Sequence, residues 1–417
     1  MEEYYEIDNL SKSIGTPFYL CEEDNFIANY QNICQAFQSR YKNFILGYSY
    51  KTNYLPYLCN IVKNFGGYAE VVSRLEYDLA LAVGQDPSRI IFNGPLKSFP
   101  DVELAIENNS ILNIDSWYEL DFVEEIAKQN PTKPVQIGLR INFNFSDEEG
   151  RSHIQSGLAT GRFGFAIEEP NFSQVVSKIR QFPNIVVNCL HGHTSTSTRQ
   201  VWVYEKITRT LCDLAAAYFE NTVNFIDIGG GIFGKVPEVM KSGPTPSFDD
   251  YAEAVCKIMT SHSWVKENSP YLILEPGVSI VADSLSFITK IIDIKTVNNK
   301  NFSLVDGSIY NIKPSMHSIN HPFKIVKEFK DDRQIVTNFV GYTCMEKDYL
   351  LKDVACEAPE KGDFLKIYNV GAYTIVMTPP FINSAPPIVV KIGDQFKVIR
   401  ARQSFDDFFK NYLIEMD

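Results

Sequence analysis

From about residue 44 the chain repeats one unit, a short apolar run followed by a stretch with helical apolar spacing. The runs ILGYSY (45–50), YAEVV (68–72), RIIFNG (89–94), ILNID (111–115), VQIGLRINF (135–143), IVVNCLHGH (185–193), NFIDIGG (224–230) and YLILEPG (271–277) predict eight strands. Between them RLEYDLALAVG (74–84), VELAIEN (102–108), WYELDFVEEIAKQ (117–129), VYEKITRTLCDLAAAYFEN (203–221) and DYAEAVCKIMT (250–260) predict helices. Strict alternation implies parallel strands joined by right-handed crossovers, and eight such strands close into a (β/α)8 barrel of TIM type. An open doubly wound sheet suits this strand count less well.

After about residue 282 the texture changes to strand-like runs with turns: SFITKIIDIKTV, NFSLVDG, DFLKIYNVGAYTIV and PPIVVKIGDQFKVIR. These predict a second, all-β domain, sandwich-like or barrel-like. GTPFYLCEE (15–23) has strand character and is expected to pair into it. The expected division is a barrel over 25–281 and a β domain made of 1–24 plus 282–417.

A barrel collects its chemistry where the strands end and the βα loops meet. Read in order, those ends carry Lys51, Ser73, Gly94, Asp115, Arg140, Asn142, His193, Gly229 to Gly231 and Glu275. The chain has 417 residues, 45% hydrophobic and 22% charged, as an ordinary globular protein does, and a formal net charge of -12. An acidic surface repels phosphate backbones and anionic headgroups, so neither nucleic acid nor membrane is an expected partner. The acidic start MEEYYEID lacks the basic and apolar regions of a secretory signal, and a cytoplasmic location is expected. The eight cysteines are scattered without a C-x-x-C pair, so no metal is expected.

Lys51 directly follows an apolar strand, so its amine would project into the barrel mouth, where a desolvated lysine can condense with an aldehyde. Taken alone, a strand-end lysine is more often a snorkelling side chain. IDIGGGIFG (226–234) sets three glycines after a strand, where bare backbone N–H groups can approach a phosphate; it does not fit G-x-G-x-x-G. Glu275 could place a carboxylate against a pyridine nitrogen, and His193 could lie flat over the ring. Each feature has a structural explanation when taken singly, but together they describe one ligand, pyridoxal 5'-phosphate.

The motifs resemble those of the fold-type III pyridoxal-phosphate decarboxylases, the family of diaminopimelate and ornithine decarboxylases, related to alanine racemase. The resemblance spans nearly the whole chain. It runs through GTPFYL (15–20), YSYKTN (48–53), VVSRLEYDLALAVG (71–84), IIFNGP (90–95), GRFGF (161–165), LHGHTS (190–195), DIGGG (227–231), EPG (275–277), YTCMEKD (342–348) and GAYT (371–374). It implies that Lys51 forms the covalent link to the cofactor, that His193 stacks on the ring and that Glu275 faces its nitrogen. It further implies that Gly229, Gly230, Gly231, Gly277, Thr196 and Tyr373 hold the cofactor, mostly at its phosphate. Cys344 sits where the family's catalytic cysteine arrives from a partner subunit, which implies a homodimer with shared active sites. The reaction implied is loss of carbon dioxide from an amino acid, with a proton returned to Cα, for which Cys344 is the candidate donor and Lys51 the group that releases the amine.

Several positions depart from the family. Val278 stands in place of the arginine of EPGR, Met345 in place of the acid after the cysteine, Lys313 in place of an arginine and His317 in place of a tyrosine. Glu70 replaces an aspartate. A distal ammonium without its carboxylate partner would be costly, so the expected substrate is a modified amino acid or amino-acid conjugate, as in siderophore, antibiotic or polyamine-type biosynthesis, rather than plain diaminopimelate. Glu346 could supply the missing charge if the loop is shifted by one residue, which keeps free ornithine, lysine or diaminopimelate open as substrates. The same cofactor and fold would also suit an amino-acid racemase, and a homologue without catalytic activity could share the motifs. The carboxylate at Glu275 counts against the racemase, and the retention of Lys51 and Cys344 counts against an inactive homologue.

Overall fold

The structure, a computed structural model, describes residues 2–143, 160–168, 170–194, 196, 198–241, 243–329 and 333–413. Eight parallel strands form the barrel: β1 (Phe44–Ser49), β2 (Tyr68–Val71), β3 (Ile90–Phe92), β4 (Ile111–Ile114), β5 (Val135–Asn142), β6 (Ile185–Gly192), β7 (Phe225–Asp227) and β8 (Tyr271–Leu274). Each pairs with the next, and β8 returns to β1 with Leu272 opposite Phe44, so the sheet closes. The strands are near-continuous apolar runs because both faces are covered. Ile45, Ile91, Ile111, Cys189 and Ile273 meet in one buried cluster.

The crossover helices start where the sequence offers an N-cap. Ser73 accepts a hydrogen bond from the Glu76 N–H at the start of Arg74–Ala82. Ser98 with Asp101 and Ser247 with Asp250 form capping boxes that begin Phe99–Glu107 and Phe248–Ser261. At Ser73 and Ser98 the caps fix the chain direction shortly after β2 and β3 end, beside candidate residues of the barrel mouth. Among the described residues no helix is long and apolar enough to cross a membrane.

The chain divides into two compact units, one of Asn29–Gly234 and Gly243–Ser279, the other of Met1–Ala28, Lys235–Ser242 and Ile280–Asp417. Relative to the expected division, residues 25–28, 280–281 and Lys235–Ser242 fall with the second unit. In the last segment, the Asn369 amide donates to the Met240 sulfur at 3.3 Å and Lys235 lies 4.0 Å from Asp283.

The second unit is a nine-stranded sheet in which Phe18–Glu22 pairs antiparallel with Leu285–Val297 and parallel with Ile388–Ile392. GTPFYL thus ties the two ends of the chain together, as its strand character suggested. Phe18, Leu20, Ile288, Phe364 and Val389 pack as its core, joined by Ile7 of the helix Glu2–Ile14. That helix corrects the all-β expectation: Glu2 and Glu3 in its first turn and Lys12 in its last suit the helix dipole, and Ile7 has a core to enter. A second correction falls in DFLKIYNVGAYTIV. The strand stops at Ile367, and GAYT forms a bend with Tyr373 at φ +53.

Candidate active site

Within the barrel unit the expected residues converge. Lys51 lies in a single 3-10 turn (Tyr50–Thr52) at the end of β1. Its Nζ is 2.5 Å from Glu70 Oε2, a carboxylate at the end of β2 with a fully buried side chain. The Ser49 hydroxyl donates to the same oxygen at 2.6 Å. Gly277 backs this turn: a Cβ there would come 2.1 Å from Thr52 Oγ1. The Pro276 carbonyl accepts from the Ser49 N–H at 3.2 Å, so EPG and the lysine turn are one locked piece.

Glu275, just past β8, is 4% exposed. Its Oε1 accepts from Asn93 Nδ2 at 2.6 Å, and its Oε2 is 3.6 Å from His191 Nε2, an approach too long for a hydrogen bond. His191, Asp227 and Glu275 bring one ligand-type atom each within 4.8 Å of one another. Burial alone would raise the Glu275 carboxyl, but His191 and Lys51 outweigh it and hold it well below the usual range. Asp227 moves the other way. Burial first, then the Glu275 charge beside it, raises it well above the usual range, although its Oδ1 accepts from the Gly229 N–H at 2.9 Å. One proton shared by two carboxylates therefore belongs to Asp227, and Glu275 is the anion.

His193 accepts from the Gly230 N–H through Nδ1 at 3.2 Å. Its burial, with Arg140 and Lys51 nearby, lowers it to about 3, so it is a neutral imidazole. Gly229 (φ +66) and Gly231 (φ +92) take backbone forms that side chains avoid. A Cβ on Gly229 would meet the His193 side chain at 2.5 Å, and one on Gly230 would meet the Glu275 carbonyl oxygen at 2.0 Å. The triple glycine is thus required by close approach, with the N–H groups of Gly229 and Gly230 engaged by Asp227 and His193. Thr196 is buried, and its hydroxyl accepts from the Arg199 N–H at 3.0 Å. Ser195, in the same motif, lies outside the described residues. Val278 is half-buried and opens the short helix Val278–Val281.

An amine on one strand end, an ionised carboxylate on the next, a flat neutral ring and a glycine cradle make a set that could hold pyridoxal phosphate. This donor set, with the closeness forced at Gly229 and Gly230, fits the cofactor.

The remaining expected residues belong to the sheet unit. Cys344 and Glu346 are exposed and Met345 is half-buried. Their loop is held by the buried Asp348: Oδ2 accepts from the Thr343 N–H and hydroxyl at 3.0 and 2.7 Å, and Oδ1 from the Ile309 N–H at 2.7 Å. The Tyr310 hydroxyl approaches the Met345 sulfur at 3.3 Å, while its carbonyl accepts from Thr378 at 2.7 Å. Lys313, just after the helix Ile309–Ile312, is 4% exposed, and burial lowers it. Its Nζ donates to the Ile319 carbonyl at 3.4 Å, and among the described residues no carboxylate pairs with it. His317 stacks on His321 with ring centroids 5.5 Å apart. Tyr373 is 42% exposed.

Residues 27–282, more than half of the chain, match the family described as the pyridoxal binding domain of pyridoxal-dependent decarboxylases. The chain belongs to that family. It is 28% identical over 97% of its length to a probable chloroplastic diaminopimelate decarboxylase of Oryza sativa subsp. japonica, covering 81% of that protein. It is 27% identical to the diaminopimelate decarboxylase of Helicobacter pylori strain J99, covering 97% of this chain and 98% of that one. Among solved structures, the diaminopimelate decarboxylase of M. jannaschii in complex with L-lysine superposes with a TM-score of 0.86 at 25% identity, over 97% and 94% of the two chains. The Helicobacter pylori enzyme with L-lysine gives 0.82 at 26%, over 97% and 98%. This chain is therefore a pyridoxal-phosphate-dependent amino-acid decarboxylase with the fold-type III architecture, and the racemase reading is set aside.

Sequence reasoning missed Asn93, His191, Asp227, Tyr310 and Asp348. A signal existed for two of them. His191 lies in β6 two residues before His193, which follows the strand, so strand alternation would set the two on one face, and Asp227 precedes the glycines whose backbone it holds.

Proposed function

We propose that this decarboxylase acts on an amino acid whose far end carries a carboxylate, with diaminopimelate as the first substrate. The observation that carries this is Lys313, a buried cation with no carboxylate partner among the described residues. Burying such a charge is costly unless an anion joins it, so the position favours a ligand carboxylate. The relatives named diaminopimelate decarboxylases run almost the full length of this chain, which favours that substrate over the conjugate expected from the replaced residues. A second reading survives on Val278 and Met345, which leave apolar surface where a small diamine would need charge. It is an amino acid acylated by a dicarboxylate.

Bound pyridoxal phosphate would supply the electron sink for the pair left at Cα when carbon dioxide departs. Lys51 would hold the cofactor, with Glu70 keeping its amine in place. Glu275, as an anion, would keep a proton at the ring nitrogen. His193, neutral, would cover one face, and Gly229 to Gly231 with Thr196 and Tyr373 would bind the phosphate. Cys344, delivered by a second copy of the chain, would return a proton to Cα, so the working unit is a homodimer.

Carbon dioxide release is to be measured on meso-diaminopimelate, lysine, ornithine and side-chain-acylated diamino acids. Turnover is expected with the substrates bearing a far carboxylate, and Lys313→Met should raise their KM by roughly tenfold to a hundredfold, as loss of a charged hydrogen bond does. Best turnover of lysine or ornithine would contradict the proposal.

A further inference from the structure

The two carboxylates of the site are joined by one neutral side chain. Asn93 directly follows β3, is 4% exposed, and anchors its backbone N–H on the Val71 carbonyl at 2.8 Å. Its Nδ2 donates to Glu70 Oε1 at 3.1 Å and to Glu275 Oε1 at 2.6 Å. The amide orientation is fixed from behind, because Asn113 Nδ2 donates to Asn93 Oδ1 at 2.8 Å and so turns both amide hydrogens toward the carboxylates. Since Glu70 Oε2 also receives Lys51 Nζ at 2.5 Å, an unbroken chain of contacts runs Lys51, Glu70, Asn93, Glu275 across the end of the barrel.

We propose that Asn93 is a positioning residue that holds both carboxylates as anions and couples protonation at Lys51 to the charge at Glu275. The inference rests on the roles proposed above for Lys51 and Glu275. An amide suits the position for a simple reason: one nitrogen offers two hydrogens and no charge. A hydroxyl would satisfy only one carboxylate, and an aspartate would set a third acid between two others. The remaining charged and titratable groups facing this chain do not replace the bridge. Glu76 acts on Lys51 and Glu70 only through space, Arg140 pairs with Asp115 at 3.2 Å and acts on Glu70 and Glu275 through space, and His191 approaches Glu275 at Oε2 rather than at the Oε1 that Asn93 holds, with Asp227 gathered beside them. Withdrawing the amide removes a donor from each anion, which raises the proton affinity of the whole chain; adding a carboxylate raises it further.

The test uses full-length wild type, Asn93→Ala and Asn93→Asp. Each is loaded with pyridoxal phosphate, the visible absorbance of the bound cofactor is titrated against pH, and cofactor affinity is measured separately on the cofactor-free proteins by fluorescence quenching. Thermal melts establish that each variant is folded. The expected order of titration midpoints is wild type below Asn93→Ala below Asn93→Asp, with the last raised by about one pH unit. Asn93→Ala should also bind the cofactor about tenfold more weakly. Asn93→Asp is nearly isosteric, so it decides the matter even where the alanine variant melts early. A normal visible band with the same midpoint in Asn93→Asp as in wild type overturns the coupling alone. Absence of the band in wild type overturns the role of Lys51, and the coupling with it.

Discussion

At the scale of single residues, charge state decides what each group in the barrel mouth can do. Glu275 is ionised because His191 and Lys51 outweigh its burial, while Asp227 on the neighbouring strand takes the proton. His193 is the clearest case for a pH measurement. Its folded value is depressed from 6.5 to about 3, first by burial and then by Arg140 and Lys51. A depressed folded value means that the unfolded chain binds the proton first. The stability this gives is therefore present above 6.5 and is lost as pH falls from there toward 3. The cofactor-free protein should lose melting temperature over that window, and His193→Gln should flatten the loss; an unchanged slope would contradict the neutral imidazole. Gly230→Ala makes a steric prediction. Its Cβ would sit 2.0 Å from the Glu275 carbonyl oxygen, so the cradle must shift and cofactor affinity, read by fluorescence, should collapse.

At the scale of elements, the barrel was legible in the sequence and the second unit less so. Buried parallel strands are continuous apolar runs, and helical spacing between them marked the crossover helices. All eight barrel strands stand where those runs lie. The sheet unit is harder to read because its strands carry one polar face and irregular turns, so Phe323–Val326, Gln334–Val340 and Tyr349–Glu357 gave no pattern as clear. Cofactor-side residues such as Lys51 and Glu275 were visible because they end strands. Asn93 and Asp348 were not, since their importance lies in what they hold rather than in a motif. Lys97 belongs with them. It is fully buried, donates to the carbonyls of Gly94 and Asn113 at 2.7 and 3.0 Å, and pairs with Glu119 at 2.7 Å. Glu119 in turn accepts from the N–H groups of Asp115 and Ser116. The pair thus pins the ends of β3 and β4 to the helix Trp117–Gln129. Lys97→Met leaves a buried anion unpaired and should cost about 3 to 5 kcal/mol in denaturant unfolding; a loss below about 1 kcal/mol would contradict the pin.

At the scale of the whole molecule, the candidate residues are split between the two units, with Lys51, His193 and Glu275 in one and Lys313, Cys344 and Tyr373 in the other. The family resemblance brings Cys344 of that second set from a partner subunit, which makes a complementation test possible. Lys51→Ala and Cys344→Ala should each be inactive or nearly so as homodimers. Mixed and allowed to exchange subunits, they should regain about a quarter of wild-type activity, because half the dimers are mixed and each of those has one intact site. No recovery, with subunit exchange established by sedimentation of tagged chains, would contradict shared sites. The expectations for activity and for the cofactor depend on which lysine carries it. The most direct measurement is borohydride reduction of the cofactor-loaded protein followed by peptide mapping of the pyridoxyl adduct. The adduct is expected on Lys51, and an adduct on another lysine, or none, would contradict the assignment of this site.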